Sequence, residues 1–231
     1  MYFQRFKLSN FLSLACFALA ATLSRLTVGS DYDPMHLSNL KPIEILELKI
    51  EDQPRVRVIP VKAYLPKDAL KAVPVILFSH GLGGSKDGNS FMGEHWAKRG
   101  YVAIFLQHAG SDESVWKGIE LRERISAMQK AASSQNLFLR CEDVKKTVDQ
   151  FEIWNTEEKH PLFKKLDITH IGMCGHSFGA HTTQATAGQS FPLVGQNSLT
   201  IGSKPQLHIA RAHQPGAAAT LSRRSRCRGC F

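Results

Sequence analysis

No aspartate or glutamate follows Asp167, so residues 168–231 contain no carboxylate side chain at all. That excludes an acidic catalytic residue or a carboxylate metal ligand from the last part of the chain. The same stretch holds Lys204, Arg211, Arg223, Arg224, Arg226 and Arg228, and residues 1–20 hold Arg5 and Lys7, again without an acid. Of the formal net charge of +9, the C-terminal stretch therefore carries +6 and the first twenty residues +2. Residues 21–167 carry only +1. The body of the chain is close to neutral, and a nucleic-acid partner, which needs a basic face, is not expected.

Cysteine is scarce: five in all, at 16, 141, 174, 227 and 230. Cys227-x-x-Cys230 has no second pair at zinc-ligand spacing, so neither a metal nor another cofactor is expected. Cys174 stands in an apolar run and reads as a small buried residue. Long hydrophobic runs are also lacking. The apolar stretch Phe11–Ala20 is too short to span a bilayer, so stable membrane insertion is not expected. After Arg5 and Lys7 and before Ala18-Leu19-Ala20, it reads as a secretory signal over 1–20, implying a secreted or periplasmic protein. No internal repeat is visible.

What remains is an ordinary globular composition, 43% apolar and 21% charged, long enough for one domain with a sizeable core. Residues 21–42 form a polar lead-in. Ile43–Ile50 and Arg55–Tyr64 alternate apolar and polar about Glu51-Asp52-Gln53-Pro54, which predicts an antiparallel hairpin, with Pro60 at an edge or bulge. Val73–Ser79 and Tyr101–Leu106 are almost continuously apolar, as strands covered on both faces are. Between them, Asn89 is placed to cap a helix ending at Gly100. Residues 115–134 and Glu142–Trp154 have helical spacing, the second with Val144, Val148 and Phe151 in one stripe. The order predicts an α/β fold: a mainly parallel sheet with an N-terminal hairpin and helices on both faces.

Two glycine motifs end buried strands. Val73–Ser79 runs into His80-Gly81-Leu82-Gly83-Gly84, and Asp167–Cys174 runs into Gly175-His176-Ser177-Phe178-Gly179, followed by a helix-compatible segment. The second is a G-x-S-x-G elbow between strand and helix: it projects a serine hydroxyl, and a Cβ at either glycine would collide with its neighbours. Together the motifs resemble the α/β-hydrolase superfamily, in particular the secreted esterase branch related to dienelactone hydrolases and plasma-type platelet-activating-factor acetylhydrolases. The resemblance covers about residues 43–195. Dienelactone hydrolases use a cysteine nucleophile where this chain has Ser177, so it implies a serine-type carboxylic-ester hydrolase. Its nucleophile would be Ser177, its oxyanion hole the backbone N–H groups of Leu82 and Phe178, and its partner a small ester substrate. His108 and Trp116 are expected in the substrate pocket from loop position; His80, His176 and His181 are expected to be packing or supporting residues.

The chain departs from that pattern after the elbow. In this fold the triad runs Ser, then Asp or Glu, then His, and no acid follows Ser177. His208 and His213 lack a supporting strand pattern, so the last strands of the fold are expected to be missing, leaving a strand with an exposed edge. Residues 196–231 read as an atypical basic tail, either native or out of frame. Three readings follow: an impaired ester hydrolase, a non-catalytic binding protein on the same scaffold, and a basic-tail protein that binds anionic surfaces. Oligomeric state is not legible.

Overall fold

The computed structural model describes residues 41–193, 196–200 and 207–209. The signal segment, nearly all of the lead-in, His213, Cys227 and Cys230 lie outside these residues. A six-stranded sheet has the order β1-β2-β4-β3-β5-β8, built from β1 (Ile43–Asp52), β2 (Arg57–Pro66), β3 (Val73–Ser79), β4 (Val102–Leu106), β5 (Leu166–Gly175) and β8 (Leu207–Ile209). β1 and β2 form the antiparallel hairpin, β2 joins β4 antiparallel, and β4, β3, β5 and β8 are parallel. Helices α1 (Ser90–Lys98), α2 (Leu121–Ala131), α3 (Ser134–Thr156) and α4 (Phe178–Thr186) fill the connections. A short antiparallel pair, β6 (Ser190–Leu193) and β7 (Gln196–Thr200), follows α4 as a separate sheet.

The two faces of the sheet carry separate cores because side chains alternate along each strand. One face sets Ile59, Val61, Leu77, Ile104 and Ile171 against Val144, Val148, Phe151 and Trp154 of α3. The other joins Tyr64, Phe78 and Phe105 to Ala97, with Met92 and Trp96 of α1 packed alongside. β4 is buried at all five residues, which is why it reads as an unbroken apolar run.

Four expectations need correction. Pro60 is not in an edge strand, since β2 lies between β1 and β4; it is tolerated because pairing with β4 begins at Val61, and its carbonyl still accepts from Gln107 N–H at 2.9 Å. Asn89 stands at the α1 N-cap with φ 59°, but its side chain makes no capping bond. The helix expected over 115–134 spans only Leu121–Ala131, and Leu121 and Ile125 are 76% and 71% exposed, so its apolar stripe does not enter the core. Finally, β5 is not left open: Leu207–Ile209 pairs with Ile171–Met173, placing His208 on a strand opposite Gly172.

Among the described residues, no helix is long and apolar enough to cross a membrane.

Candidate active site

β3 and β5 are neighbours and parallel, so the two glycine motifs emerge side by side at the same end of the sheet. Ser177 sits between β5 and α4 with φ 52° and ψ −114°, a region that costs a non-glycine residue about 1–3 kcal/mol. It is exposed. The turn closes through Gly179 N–H to His176 O at 2.8 Å and His176 N–H to Ser79 O at 3.2 Å. The glycines permit this approach. A Cβ on Gly179 would fall within the radius of Ser79 O, and one on Gly175 would overlap the Gly179 carbonyl.

The loop after β3 is strapped down by the segment after β4. Gly83 N–H donates to Ser111 O at 2.9 Å, Glu113 N–H to Gly84 O at 2.8 Å, and the Trp116 indole N–H to Gly83 O at 2.7 Å. Among the described residues, neither the Leu82 nor the Phe178 N–H has an acceptor. Leu82 and Trp116 line a groove of about 440 Å³ with Arg124, Ile125, Met128 and Gln129. The Arg124 guanidinium lies 5.7 Å from the centre of the indole.

His108 is not in that groove. It is fully buried beneath the loops, where a chain of side chains runs through the protein. Its Nδ1–H donates to Asp143 Oδ2 at 2.9 Å, and its Nε2 accepts from the Ser79 hydroxyl at 2.9 Å. Asp143 also accepts from Arg57 Nε at 2.7 Å, Arg57 Nη2 at 2.9 Å and Arg55 Nη1 at 3.0 Å. Ser79 Oγ accepts from Arg140 Nη2 at 2.9 Å. This is a Ser–His–Asp arrangement of the wrong kind for attack, because Ser79 is buried and Arg140 occupies its lone pair. His80 supports the same layer: its Nδ1–H donates to Gly81 O at 2.6 Å, and its Nε2 accepts from His108 N–H at 3.1 Å.

Burial fixes the charge states. It pulls His108 down to about 3 and His80 to about 4, in both cases reinforced by the nearby Arg140 cation, so both rings are neutral at pH 7. Burial also lowers Arg140 to about 9, which leaves it charged. It pushes the thiols of Cys141 and Cys174 up to about 12, which makes them poor nucleophiles. Both histidines recover an ordinary pKa near 6.5 when the chain unfolds, so below that pH the unfolded state binds more protons. Stability is therefore expected to fall as pH drops from about 6.5 towards 4, by up to about 1.4 kcal/mol per pH unit for each ring. Urea midpoints at about pH 7 and pH 5 check this; equal midpoints would contradict it.

His176 and His181 are exposed, although the His176 ring lies against the loop after β3, where a Cβ on Gly81 would stand 2.8 Å from its Nδ1. Among the described residues, no histidine nitrogen and no carboxylate oxygen is hydrogen-bonded to Ser177 Oγ. Asp167 begins β5, at the opposite end from Ser177, and accepts from Thr169 and His170. Sequence reasoning missed Arg140 and Asp143. The signal was there: both fall among the buried positions of α3 that also include Val144, Thr147, Val148 and Phe151. Charged residues on an otherwise apolar stripe are expected only where a buried partner waits for them.

The family model described as platelet-activating factor acetylhydrolase, isoform II, matches residues 55–160. No curated protein matches the chain. Among solved structures, a protein of Klebsiella pneumoniae assigned as a dienelactone hydrolase is 16% identical with a TM-score of 0.50, covering 72% of this chain and 57% of that one. A ferulic acid esterase from Streptomyces cinnamoneus is also 16% identical, with a TM-score of 0.45 and coverage of 68% and 58%. The chain thus spans under two thirds of either structure.

Proposed function

The chain is an α/β-hydrolase-fold protein, and on that premise we propose that it is a serine-type carboxylic-ester hydrolase acting through Ser177. The observation that carries this reading is the elbow itself: an exposed serine at φ 52°, beside a strapped loop whose Leu82 N–H is free. In the reaction, Ser177 Oγ bonds to the ester carbonyl carbon. The carbonyl oxygen becomes an oxyanion held by the N–H groups of Leu82 and Phe178, each such donor being worth roughly 3 kcal/mol. The bond to the alcohol breaks, the alcohol leaves with the serine proton, and water then releases the acid from Ser177. The groove lined by Leu82, Trp116, Ile125 and Met128 favours an ester with an apolar substituent. The basic, apolar start of residues 1–20 supports action outside the cytosol.

Turnover is slow in this reading. Among the described residues neither a base nor an acid is hydrogen-bonded to Ser177, and about 10³–10⁴ over water is what an oxyanion hole and substrate binding alone supply. That no described residue is hydrogen-bonded to Ser177 Oγ also favours a second reading, a scaffold that binds esters without turning them over. A fluorophosphonate separates the two. The Ser177 Oγ–P bond forms as the P–F bond breaks, fluoride leaves and the proton passes to water. A stoichiometric adduct on the Ser177 peptide, absent from Ser177→Ala, is the expected result. Bound ester with no adduct would support the binding protein instead.

A further inference from the structure

Arg140 is fully buried on α3, and among the described residues it forms no direct ion pair. A guanidinium held this way is costly unless its nitrogens find acceptors, and all three do. Nε donates to Thr182 Oγ1 at 2.9 Å, Nη1 to Ser111 Oγ at 2.9 Å, and Nη2 to Ser79 Oγ at 2.9 Å and to His80 O. The fork thus joins the end of β3, the strap after β4, and α4 one turn past Phe178.

These contacts converge on the two turns that bear free N–H groups. His80, whose carbonyl accepts from Arg140, lies two residues before Leu82. Ser111, the second acceptor, also receives the N–H of Gly83 on its carbonyl. On the other side, the Thr182 hydroxyl that accepts from Arg140 donates onward to Phe178 O at 3.0 Å. The guanidinium carbon itself lies 4.8 Å from the centre of the Phe178 ring. A single side chain therefore contacts both halves of the hole from behind, and brings a positive charge to the place where negative charge develops. Lysine cannot substitute for this, since a point charge lacks the planar fork.

We propose that Arg140 is the positioning residue of the oxyanion hole, fixing the Leu82 and Phe178 amides relative to one another and supplying a buried cation behind them. This rests on the reading of Ser177 as nucleophile and adds to it a residue that touches neither substrate nor the reacting oxygen.

The test uses the full chain with Arg140→Lys, Arg140→Met and the near-isosteric Thr182→Val. The first readout is fluorophosphonate labelling of Ser177, resolved into the limiting rate and the half-saturating concentration. The limiting rate should fall about 100-fold in Arg140→Met, with half-saturation within about twofold of native, as when an interaction made only at the transition state is lost. Arg140→Lys should fall between, and Thr182→Val should lose about tenfold. The second readout is amide hydrogen exchange, which needs no nucleophile. Exchange in 80–84 and 176–179 should rise about tenfold or more in the Arg140 variants while the β1–β2 hairpin stays unchanged. Folded variants with native limiting rates, or with exchange raised evenly over the sheet, would overturn the proposal. Native protein that shows no Ser177 adduct, yet shows the localised exchange in the variants, would sink the nucleophile and leave the positioning role supported. If Arg140→Met fails to fold, Thr182→Val decides alone on both readouts.

Discussion

Asp143→Ala is expected to destabilise the domain by about 3–5 kcal/mol, the cost of removing one partner from a buried ion cluster. The size follows from what the carboxylate holds. Asp143 is fully buried and accepts from Arg55, Arg57 and His108. Its loss leaves the mostly buried Arg57 with no counterion and only its bond to Ala109 O, while Arg55 keeps its pair with Asp52 and a long bond to Leu139 O. A typical domain is stable by only about 5–15 kcal/mol, so the variant should be partly unfolded at body temperature. Asp143→Asn tests the charge separately from the cavity: it keeps the volume, still offers one acceptor, and should lose somewhat less. Urea denaturation followed by circular dichroism measures both. A loss below about 1 kcal/mol in Asp143→Ala would mean that water solvates the arginines and that the cluster is not the anchor of α3.

Gly179→Ala is expected to cost about 1–3 kcal/mol in stability and to slow Ser177 labelling by about 100-fold. The new Cβ has nowhere to go. It would overlap Ser79 O and stand 2.8 Å from His80 O, both main-chain atoms of the neighbouring strand end. Main chain cannot rotate away, so α4 must lift, and the Phe178 N–H and Ser177 Oγ move with it. A displacement of about 1 Å at a reacting centre is enough for a hundredfold loss. Gly88→Ala is the control, since its Cβ would meet nothing closer than Ser85 O at 3.4 Å. It should leave both quantities near native. Native labelling in Gly179→Ala would show that the elbow tolerates a second geometry.

The parts of the fold that were legible were those with a one-dimensional signature. β3 and β4 read clearly because strands covered on both faces need unbroken apolar runs, and the elbow read clearly because only glycine admits β5 and α4 so near to Ser79 O. The buried polar layer was legible only as the two charged residues on the apolar stripe of α3, not as an assembly. Arg140 and Asp143 lie on α3, Ser79 at the end of β3 and His108 after β4, and nothing local to any of these three segments says that the others will meet it. His108 went to the wrong place for the same reason: its loop position brings it to the right edge of the sheet, but whether a side chain turns up into a groove or down beneath it depends on a carboxylate 35 residues away. Residues 115–134 read as one helix because Ile119 shares the spacing of Ile125, Met128 and Ala132, although the helix begins only at Leu121. In the structure Trp116 instead belongs to the strap that closes over Gly83 and Gly84.

The arrangement also explains why a serine lacking a hydrogen-bonded base is still worth testing. The backbone strain at Ser177, the glycine contacts and the strap all serve to fix the serine and two amides. Among the described residues, none of these contacts involves a residue after Thr186. Attack and deacylation make different demands, since expelling a good leaving group needs less help than activating water. The central claim is therefore best tested with an activated ester, 4-nitrophenyl acetate, mixed with the full chain and followed by intact mass and peptide mapping. The account predicts a burst of one nitrophenolate per chain, a long-lived acetyl group on Ser177, and neither in Ser177→Ala. Acetyl groups found only on lysines, or a burst unchanged in Ser177→Ala, would contradict it.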